Sequence, residues 1–197
     1  MEKRGRMLVV IVAIFLLPFL GGALYALYQS LQGNFHVITK GEAYRSAQMT
    51  GNELKRCISN YRIKSIINLR GKMPKEGWYK EEVKISEAAK VMHYDLLLSA
   101  YSELSAEEAR ILTGLFNFAP RPILIHCQGG ADRSGLAAAM WKVIVDKEPK
   151  AEAGKQLSIV YGHLPFGPAS AMDRFFDKWS FAKPVSLNPS VTRNPLP

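Results

Sequence analysis

The sequence predicts an α/β fold: a three-layer sandwich with a central mixed, mostly parallel sheet flanked by helices, preceded by one N-terminal transmembrane helix. Three observations support this prediction. Short β-branched and aliphatic runs alternate with segments that have an apolar face at helical spacing, which is typical of parallel strands joined by helices. The chain has 197 residues, of which 48% are hydrophobic, enough for one domain with its own core. A long uncharged stretch stands before the first strand.

The N-terminus predicts a membrane anchor. Residues 1–6 are polar and basic, whereas residues 7–28 carry no charge and are long enough to cross a hydrocarbon core of about 30 Å. No Lys or Arg follows this stretch before Lys40, so the positive-inside rule places residues 1–6 in the cytoplasm. We therefore expect a single-pass protein of a bacterial inner membrane whose folded domain faces the periplasm. A cleaved signal peptide, ending near the small residues 21–23, and a buried core helix are the alternatives.

Strands and helices alternate along a predicted domain of residues 35–182. The strands are expected at residues 35–39, 43–46, 65–69, 93–98 and 122–126. The helices are expected near residues 50–61, 78–90, 105–119, 133–146, 151–161 and 169–179. A polar linker, residues 29–34, precedes the domain, and a Pro-rich tail, residues 183–197, follows it.

Capping signals mark the start of two of these helices. Thr50 and Glu53 have the spacing of a capping box, and so do Ser105 and Glu108. In the first of these helices Cys57 falls on the apolar face, so we expect it in the core. A redox pairing of Cys57 with the second cysteine of the chain is the alternative, since two cysteines are too few for a disulfide framework.

The most informative stretch joins the last strand to a helix and reads His-Cys-Gln-Gly-Gly-Ala-Asp-Arg-Ser, residues 126–134. Gly129 and Gly130 permit a tight turn with successive N–H groups pointing inward, and such a loop before a helix binds anions. A thiol at Cys127, among N–H donors and near a guanidinium, ionises readily. Arg133 can hold two phosphoryl oxygens at once, which a lysine cannot. The stretch predicts phosphoryl transfer to sulfur and hydrolysis of the phosphocysteine, without metal or cofactor.

The spacing His-Cys-x5-Arg-Ser resembles the signature of the cysteine-dependent protein tyrosine and dual-specificity phosphatases. Its defining positions are His126, Cys127, Gly130, Arg133 and Ser134, and the remaining loop positions are Gln128, Gly129, Ala131 and Asp132. We name residues 126–134 the phosphate loop. The resemblance implies a tyrosine-phosphatase-like fold with Cys127 as nucleophile and Arg133 as phosphoryl ligand. Ser134 would stabilise the sulfur as leaving group in the second step.

Two arginines outside the phosphate loop belong to the same resemblance, which covers about residues 36–180. The segment around Arg45 is similar to one near the start of atypical dual-specificity phosphatases from bacteria, plants and fungi. There Arg45 would hold the phosphate loop or the substrate, and a structural ion pair is the alternative. Arg70 follows a strand that ends in Leu-Arg, as is common in these phosphatases, at the sheet edge where ligands bind.

The general acid is less clearly marked. These phosphatases usually draw an Asp from a loop that here would follow Leu98, but residues 99–104 contain no Asp. Asp132, inside the phosphate loop, resembles the acid of some bacterial tyrosine phosphatases and of myotubularin-like lipid phosphatases. A carboxyl beside a bound phosphoryl dianion holds its proton more readily, which suits that role. Glu103 and Asp95 are the rival acids, although Asp95 is expected to face solvent, and a helix-dipole role is the alternative for Asp132.

The net charge and the composition limit the classes of partner that the protein can have. The formal net charge is +9, which favours phosphorylated substrates or an anionic membrane surface. No nucleic acid is expected, because no basic–aromatic binding motif is present. The scattered histidines are not expected to form a metal site with the cysteines, and His163 is expected to be structural. A tyrosine or dual-specificity protein phosphatase is therefore the predicted function. The alternatives are an envelope lipid or glycolipid phosphatase, a phosphate-binding pseudophosphatase and a rhodanese-like sulfurtransferase.

Overall fold

The computed structural model describes residues 33–180, together with Met7, Ile14, Leu16, Leu17, Leu20, Gly21, Gly22, Leu24 and Tyr25. The predicted segments 1–6 and 183–197 lie outside the described residues, as do most of the predicted anchor 7–28 and of the linker 29–34. Within the part of the chain that is described, no helix combines the length and apolar character needed to cross a membrane.

A mixed five-stranded sheet forms the centre of the domain, in the order β1-β2-β5-β3-β4. The strands are β1 His36–Thr39, β2 Ala43–Ser46, β3 Ser65–Asn68, β4 Met92–Asp95 and β5 Ile123–His126. β1 pairs with β2 antiparallel, and the other pairs are parallel. β5 lies between β2 and β3, so the segments that follow these strands meet at one edge of the sheet.

Helices cover both faces of the sheet. They are α1 Gly51–Tyr61, α2 Gly77–Ala88, α3 Ala106–Phe118, α4 Asp132–Ile144, α5 Lys150–Ala153 and α6 Ala171–Lys178. One core joins β3 and β5 to α3, α4 and α6, with Trp141 at 0% exposure, and the other core lies under α1 and α2. The predicted α/β sandwich with a mixed, mostly parallel sheet is confirmed.

Both capping boxes predicted from the residue spacing are present in the structure. The side chain of Thr50 accepts the N–H of Glu53, and that of Ser105 accepts the N–H of Glu108, while each Glu carboxylate returns to the N-cap N–H. Each box satisfies N–H groups that have no partner inside the helix.

The predicted helix over residues 151–161 is wrong. α5 ends at Ala153, and two 3-10 turns follow, Gly154–Gln156 and Ile159–Tyr161. Ser158 between them is extended, with φ −146° and ψ 162°, so the helical hydrogen bonds cannot continue. Gly162 then closes the second turn at a positive φ of 80°, a conformation that glycine adopts without strain. This irregular connection returns the chain to the phosphate loop.

The two cysteines lie in separate cores. Cys57 is buried under α1 with Ile66, whereas Cys127 belongs to the core on the opposite sheet face. Both thiols are free in this structure, and burial raises the pKa of Cys57 to about 12. Cys57 is therefore a core residue with an unreactive thiol.

Candidate active site

The phosphate loop places its cysteine at the base of the site. Cys127 directly follows β5 and is 2% exposed. The N–H of Gly130 donates to its Sγ at 3.2 Å, and the Ser134 hydroxyl lies 3.5 Å from the same sulfur. These are contacts that stabilise negative charge on sulfur. Gly130 has a φ of 69°, and a Cβ there would stand 2.5 Å from the Ala47 backbone nitrogen, so only glycine fits.

The helix that follows the loop presents an uncapped N-terminus. α4 begins at Asp132, and its N-cap residue Ala131 makes no side-chain capping bond. In α1 and α3, by contrast, capping boxes occupy the N–H groups of the first turn. The first-turn N–H groups of α4 and its positive dipole end therefore remain available to an anion in the loop.

Arg133 is held so that one edge of its guanidinium is free for a ligand. Its Nη1 donates to the carbonyls of Leu69 at 3.4 Å and Leu98 at 3.3 Å, at the ends of neighbouring parallel strands. Its Nε is buried and has no hydrogen-bond partner among the described residues. Because Nη1 is engaged, the edge formed by Nε and Nη2 is the one that can donate two parallel bonds to a phosphoryl group.

Arg45 supports the phosphate loop from behind. It is fully buried in β2, and its Nη2 donates to the carbonyls of Gly130 at 3.0 Å and Ala131 at 2.8 Å. Its Nη1 donates to the backbone and side-chain oxygens of Gln156, and the guanidinium stacks over Tyr161. Burial lowers the pKa of Arg45 to about 10, against the opposing field of Cys127. Of the roles left open above, the structure places Arg45 at the loop carbonyls rather than in an ion pair.

Arg45→Lys is expected to damage both the fold and the site. An ammonium cannot reach the carbonyls of Gly130, Ala131 and Gln156 together, so buried acceptors lose their donors. We expect the free energy of unfolding to fall by about 3 kcal/mol and kcat/KM for an aryl phosphate to fall about 10²-fold as the loop shifts. Urea melts and steady-state kinetics measure the two effects. Arg110→Lys, at a surface arginine paired with Glu107, is the matched control and should change neither value. Equal effects of the two substitutions would contradict the role of Arg45.

Asn34 also contacts the phosphate loop. It belongs to the segment predicted as a linker, yet it is 5% exposed. Its Nδ2 donates to the carbonyl of Gly129 and to that of Tyr161, at 3.0 Å each. The loop carbonyls are thus held from outside by two side chains, which leaves the loop N–H groups on the inner side.

A buried polar network orients His126. The His126 Nε2 lies 3.0 Å from the Glu82 carboxylate, which also contacts His93 at 2.8 Å and accepts from Gln48 at 2.7 Å. Burial opposes ionisation of Glu82, but the bonds from His126 and His93 hold its pKa well below the ordinary value. The hydrogen-bond network extends to Arg70, whose Nη1 donates to the side-chain oxygen of Gln48.

Arg70 lies at the rim of the site. Its guanidinium stacks over the Trp78 ring at 3.7 Å, and its backbone N–H donates to the Asn68 side chain. Partial burial and then the nearby positive charge of Arg133 lower the pKa of Arg70, which places the two guanidinium groups in one region. Arg70 thus lies close to Arg133 at the same edge of the sheet, and its role in substrate binding stays a prediction.

The three candidate acids have different surroundings. The Oδ1 of Asp132 lies 2.7 Å from Nδ1 of His163, a fully buried residue. Glu103 is paired with Lys178 and Arg174 of α6, and the bond from Lys178 is the main cause that lowers its pKa. Asp95 accepts from Asn68 at 2.8 Å and from the Tyr79 hydroxyl at 2.5 Å, so its carboxylate is not simply solvated. Only Asp132 lies within the phosphate loop.

Sequence reasoning missed the partners of this loop. Glu82 and Asn34 carried no local signal, because each reaches the loop from a distant segment, and neither did Asp173, whose Oδ2 lies 2.9 Å from Nε2 of His163. His163 was expected to be a structural histidine, and nothing in the spacing shows its contact with Asp132. Among the described residues, no group of three or more His, Cys, Asp or Glu side chains is arranged to hold a metal ion.

Comparison with known proteins agrees with this geometry. A model described as the tyrosine phosphatase family matches residues 20–151, well over half of the chain. No curated protein matches the sequence significantly.

Solved structures share the fold at low sequence identity. The chain is similar to P. aeruginosa TpbA, with 20% identity and a TM-score of 0.58 over 75% of this chain and 85% of that one. It is similar to the core catalytic domain of the PP-IP phosphatase Siw14 from S. cerevisiae, with 19% identity and a TM-score of 0.60 over 75% and 85%. A cysteine-to-serine variant of TpbA in complex with phosphotyrosine also matches, with 20% identity and a TM-score of 0.57 over 74% and 84%. The chain belongs to the tyrosine phosphatase family and is a cysteine-dependent phosphatase.

Proposed function

We propose that this phosphatase hydrolyses phosphate esters of proteins, with tyrosyl phosphate as the preferred group and dual specificity as the broader expectation. The depth of the sulfur is the observation that carries this proposal. Cys127 is 2% exposed beneath the loop, whereas Leu97 and Tyr101, on the segment that begins beside Arg133, are 65% and 75% exposed. A buried nucleophile, with exposed apolar and aromatic side chains on the segment that Arg133 contacts, favours a phosphate carried on a long aryl group over one on a short seryl side chain.

The proposed reaction has two steps. The Cys127 thiolate attacks phosphorus while Arg133 and the loop N–H groups bind the phosphoryl oxygens, and Asp132 gives a proton to the leaving oxygen. The S–P bond forms as the P–O bond to the leaving group breaks. Water then attacks the phosphocysteine while the Asp132 carboxylate takes a proton from the water; the S–P bond breaks, phosphate is released, and the Ser134 hydroxyl stabilises the departing thiolate.

A lipid or glycolipid phosphate is the second candidate substrate. It is favoured by a set of exposed apolar side chains in the connection between α5 and α6: Ile159, Val160, Leu164 and Phe166. Tyr161, within this connection, stacks on Arg45 behind the phosphate loop, so these side chains lie near the site. Such a surface suits a domain that lies against a membrane. The phosphate loop itself carries no lysine, because Gln128 and Ala131 stand where several lipid and inositide phosphatases have one, and this favours the protein substrate.

One experiment compares these substrates on the full chain. A phosphotyrosyl peptide, the phosphoseryl peptide of matched sequence and vesicles containing phosphatidic acid are offered at equal phosphate concentration. We expect the phosphotyrosyl peptide to have the highest kcat/KM, and acid quenching followed by mass spectrometry to find the phosphoryl group on Cys127. Preference for the vesicles would favour the lipid candidate. A folded, reduced chain that binds phosphate but turns over none of the three would be a pseudophosphatase.

We also propose that the predicted anchor, residues 7–28, places the catalytic domain outside the inner membrane of a bacterium. The uncharged stretch and the basic residues before it support this topology. A reporter enzyme that works only in the periplasm, fused to the C-terminus, is expected to be active. The same fusion to a chain lacking residues 1–28 is the control and should be inactive. Activity of a cytoplasm-only reporter on the full chain would contradict the topology.

A further inference from the structure

A fully buried histidine connects the phosphate loop to α6. His163 has 0% exposure, and its two ring nitrogens face carboxylates of two different elements. Nδ1 lies 2.7 Å from Oδ1 of Asp132, in the first turn of α4, and Nε2 lies 2.9 Å from Oδ2 of Asp173, in the first turn of α6. Among the described residues, Asp132 and Asp173 are the charged groups that contact the ring.

The two contacts determine how the ring is protonated. Carboxylate oxygens accept hydrogen bonds, and a neutral imidazole has only one N–H to donate. Both contacts are therefore satisfied together when the ring carries both protons. Burial opposes this charge, but the hydrogen bonds to Asp132 and Asp173 raise the pKa of His163 above its ordinary value. Two carboxyl groups accept its hydrogen bonds, which makes its burial tolerable, and a proton carried on Oδ2 of Asp132 leaves Oδ1 able to accept the bond from Nδ1.

The hydrogen bond from His163 restricts the side chain of Asp132. Its side chain is 30% exposed, so without a partner it would sample several rotamers at the mouth of the loop. The bond to His163 occupies Oδ1 and fixes the plane of the carboxyl group, which leaves Oδ2 as the oxygen that can exchange a proton with a substrate. The usual acid loop offers no replacement, because Glu103 is paired with Lys178 and Arg174.

We propose that His163, backed by Asp173, is a positioning residue that holds Asp132 in the orientation needed for proton transfer to the leaving group. This inference rests on the proposed function, in which Asp132 is the general acid. His163 does not touch the substrate and acts through Asp132. A general acid contributes most when the leaving group is poor, so loss of His163 should slow the hydrolysis of poor leaving groups selectively.

The test uses the full chain and two substrates, 4-nitrophenyl phosphate with a good leaving group and phenyl phosphate with a poorer one. We expect His163→Ala to lower kcat about 10²-fold on phenyl phosphate, and much less on 4-nitrophenyl phosphate. Asp132→Asn should show the same selectivity, and the double variant should lose little more than either single one. His163→Asn keeps an N–H near the position of Nδ1 and should recover part of the lost rate. Lys155→Gln removes a surface cation paired with Glu152 and should behave as wild type.

A second readout does not depend on turnover. ¹⁵N NMR of the His163 ring in the wild type should show both nitrogens protonated at about neutral pH, and Asp173→Asn should lower the pH at which the ring loses a proton. A neutral ring in the wild type would overturn the inference. So would equal losses on both substrates, or additive losses in the double variant, because either marks a structural role only. A wild type inactive on both substrates would instead overturn the proposed function, and the inference with it.

Discussion

Replacing Cys127 by serine is expected to abolish turnover of 4-nitrophenyl phosphate, with a loss of kcat of about 10⁵-fold or more. A serine hydroxyl stays protonated at neutral pH, and within the described residues no general base contacts position 127 to remove its proton. The N–H of Gly130 donates to the sulfur, and the Ser134 hydroxyl can donate to it as well.

The same substitution should spare phosphate binding. Arg133, the loop N–H groups and the N-terminus of α4 are unchanged in Cys127→Ser, so calorimetry should find a dissociation constant for phosphate within about tenfold of the wild type. The matched control is Cys57→Ser, since Cys57 lies in the other core with a raised pKa of about 12 and no contact with the loop. That variant should keep kcat per folded molecule. Turnover retained by Cys127→Ser and lost by Cys57→Ser would contradict a phosphocysteine mechanism.

The features that could be predicted from the sequence are those whose cause is local. The phosphate loop is contiguous, so its turn, its cysteine and its arginine can be recognised within a stretch of nine residues. The two capping boxes depend on residues three apart and formed as predicted. The alternation of strands and helices, which sets the sheet, depends on apolar periodicity within each segment. In each case the determining interaction lies within about two helical turns.

The features that escaped prediction depend on contacts between distant segments. The Glu82 carboxylate reaches His126 across 44 positions, and His163 reaches Asp132 across 31. No periodicity or spacing reports such a pair, because tertiary packing alone brings the residues together. The helix predicted over residues 151–161 failed for a related reason. Tyr161 turns toward Arg45 and Gln156 offers its carbonyl to the same arginine, which an unbroken helix would prevent.

These distant contacts share one arrangement. Arg45 and Asn34 hold the carbonyls of the phosphate loop from outside, and Glu82 fixes His126 at its start. The loop is therefore held in its binding shape by buried side chains of β2, α2 and the segment before β1. A loop fixed in this way binds a phosphoryl group without having to reorganise, which is how hydrogen-bond donors in an active site stabilise a transition state most effectively.

Arg133→Lys is expected to lower kcat/KM for 4-nitrophenyl phosphate about 10³-fold. The guanidinium donates from Nη1 to Leu69 and Leu98 and keeps its Nε–Nη2 edge for the phosphoryl group, so one side chain serves both purposes. A lysine ammonium keeps the charge but has no planar edge for two parallel bonds. The charge is the same in both proteins, so a large loss would show that geometry rather than charge carries the interaction. The two parallel hydrogen bonds stabilise the phosphoryl group most strongly in the transition state, so kcat should fall as well as substrate affinity.

The background of Cys127→Ser separates binding from chemistry in this prediction. In that background, Arg133→Lys should weaken phosphate binding about tenfold, which is less than its effect on kcat/KM. Arg174→Lys is the matched control, since Arg174 is exposed on α6, pairs with Glu103 and Ser170, and should leave kcat/KM unchanged. If Arg133→Lys cost less than about tenfold in kcat/KM, a point charge would suffice at position 133. The Nε of Arg133, which is buried and has no hydrogen-bond partner among the described residues, would then not be needed to bind the phosphoryl group.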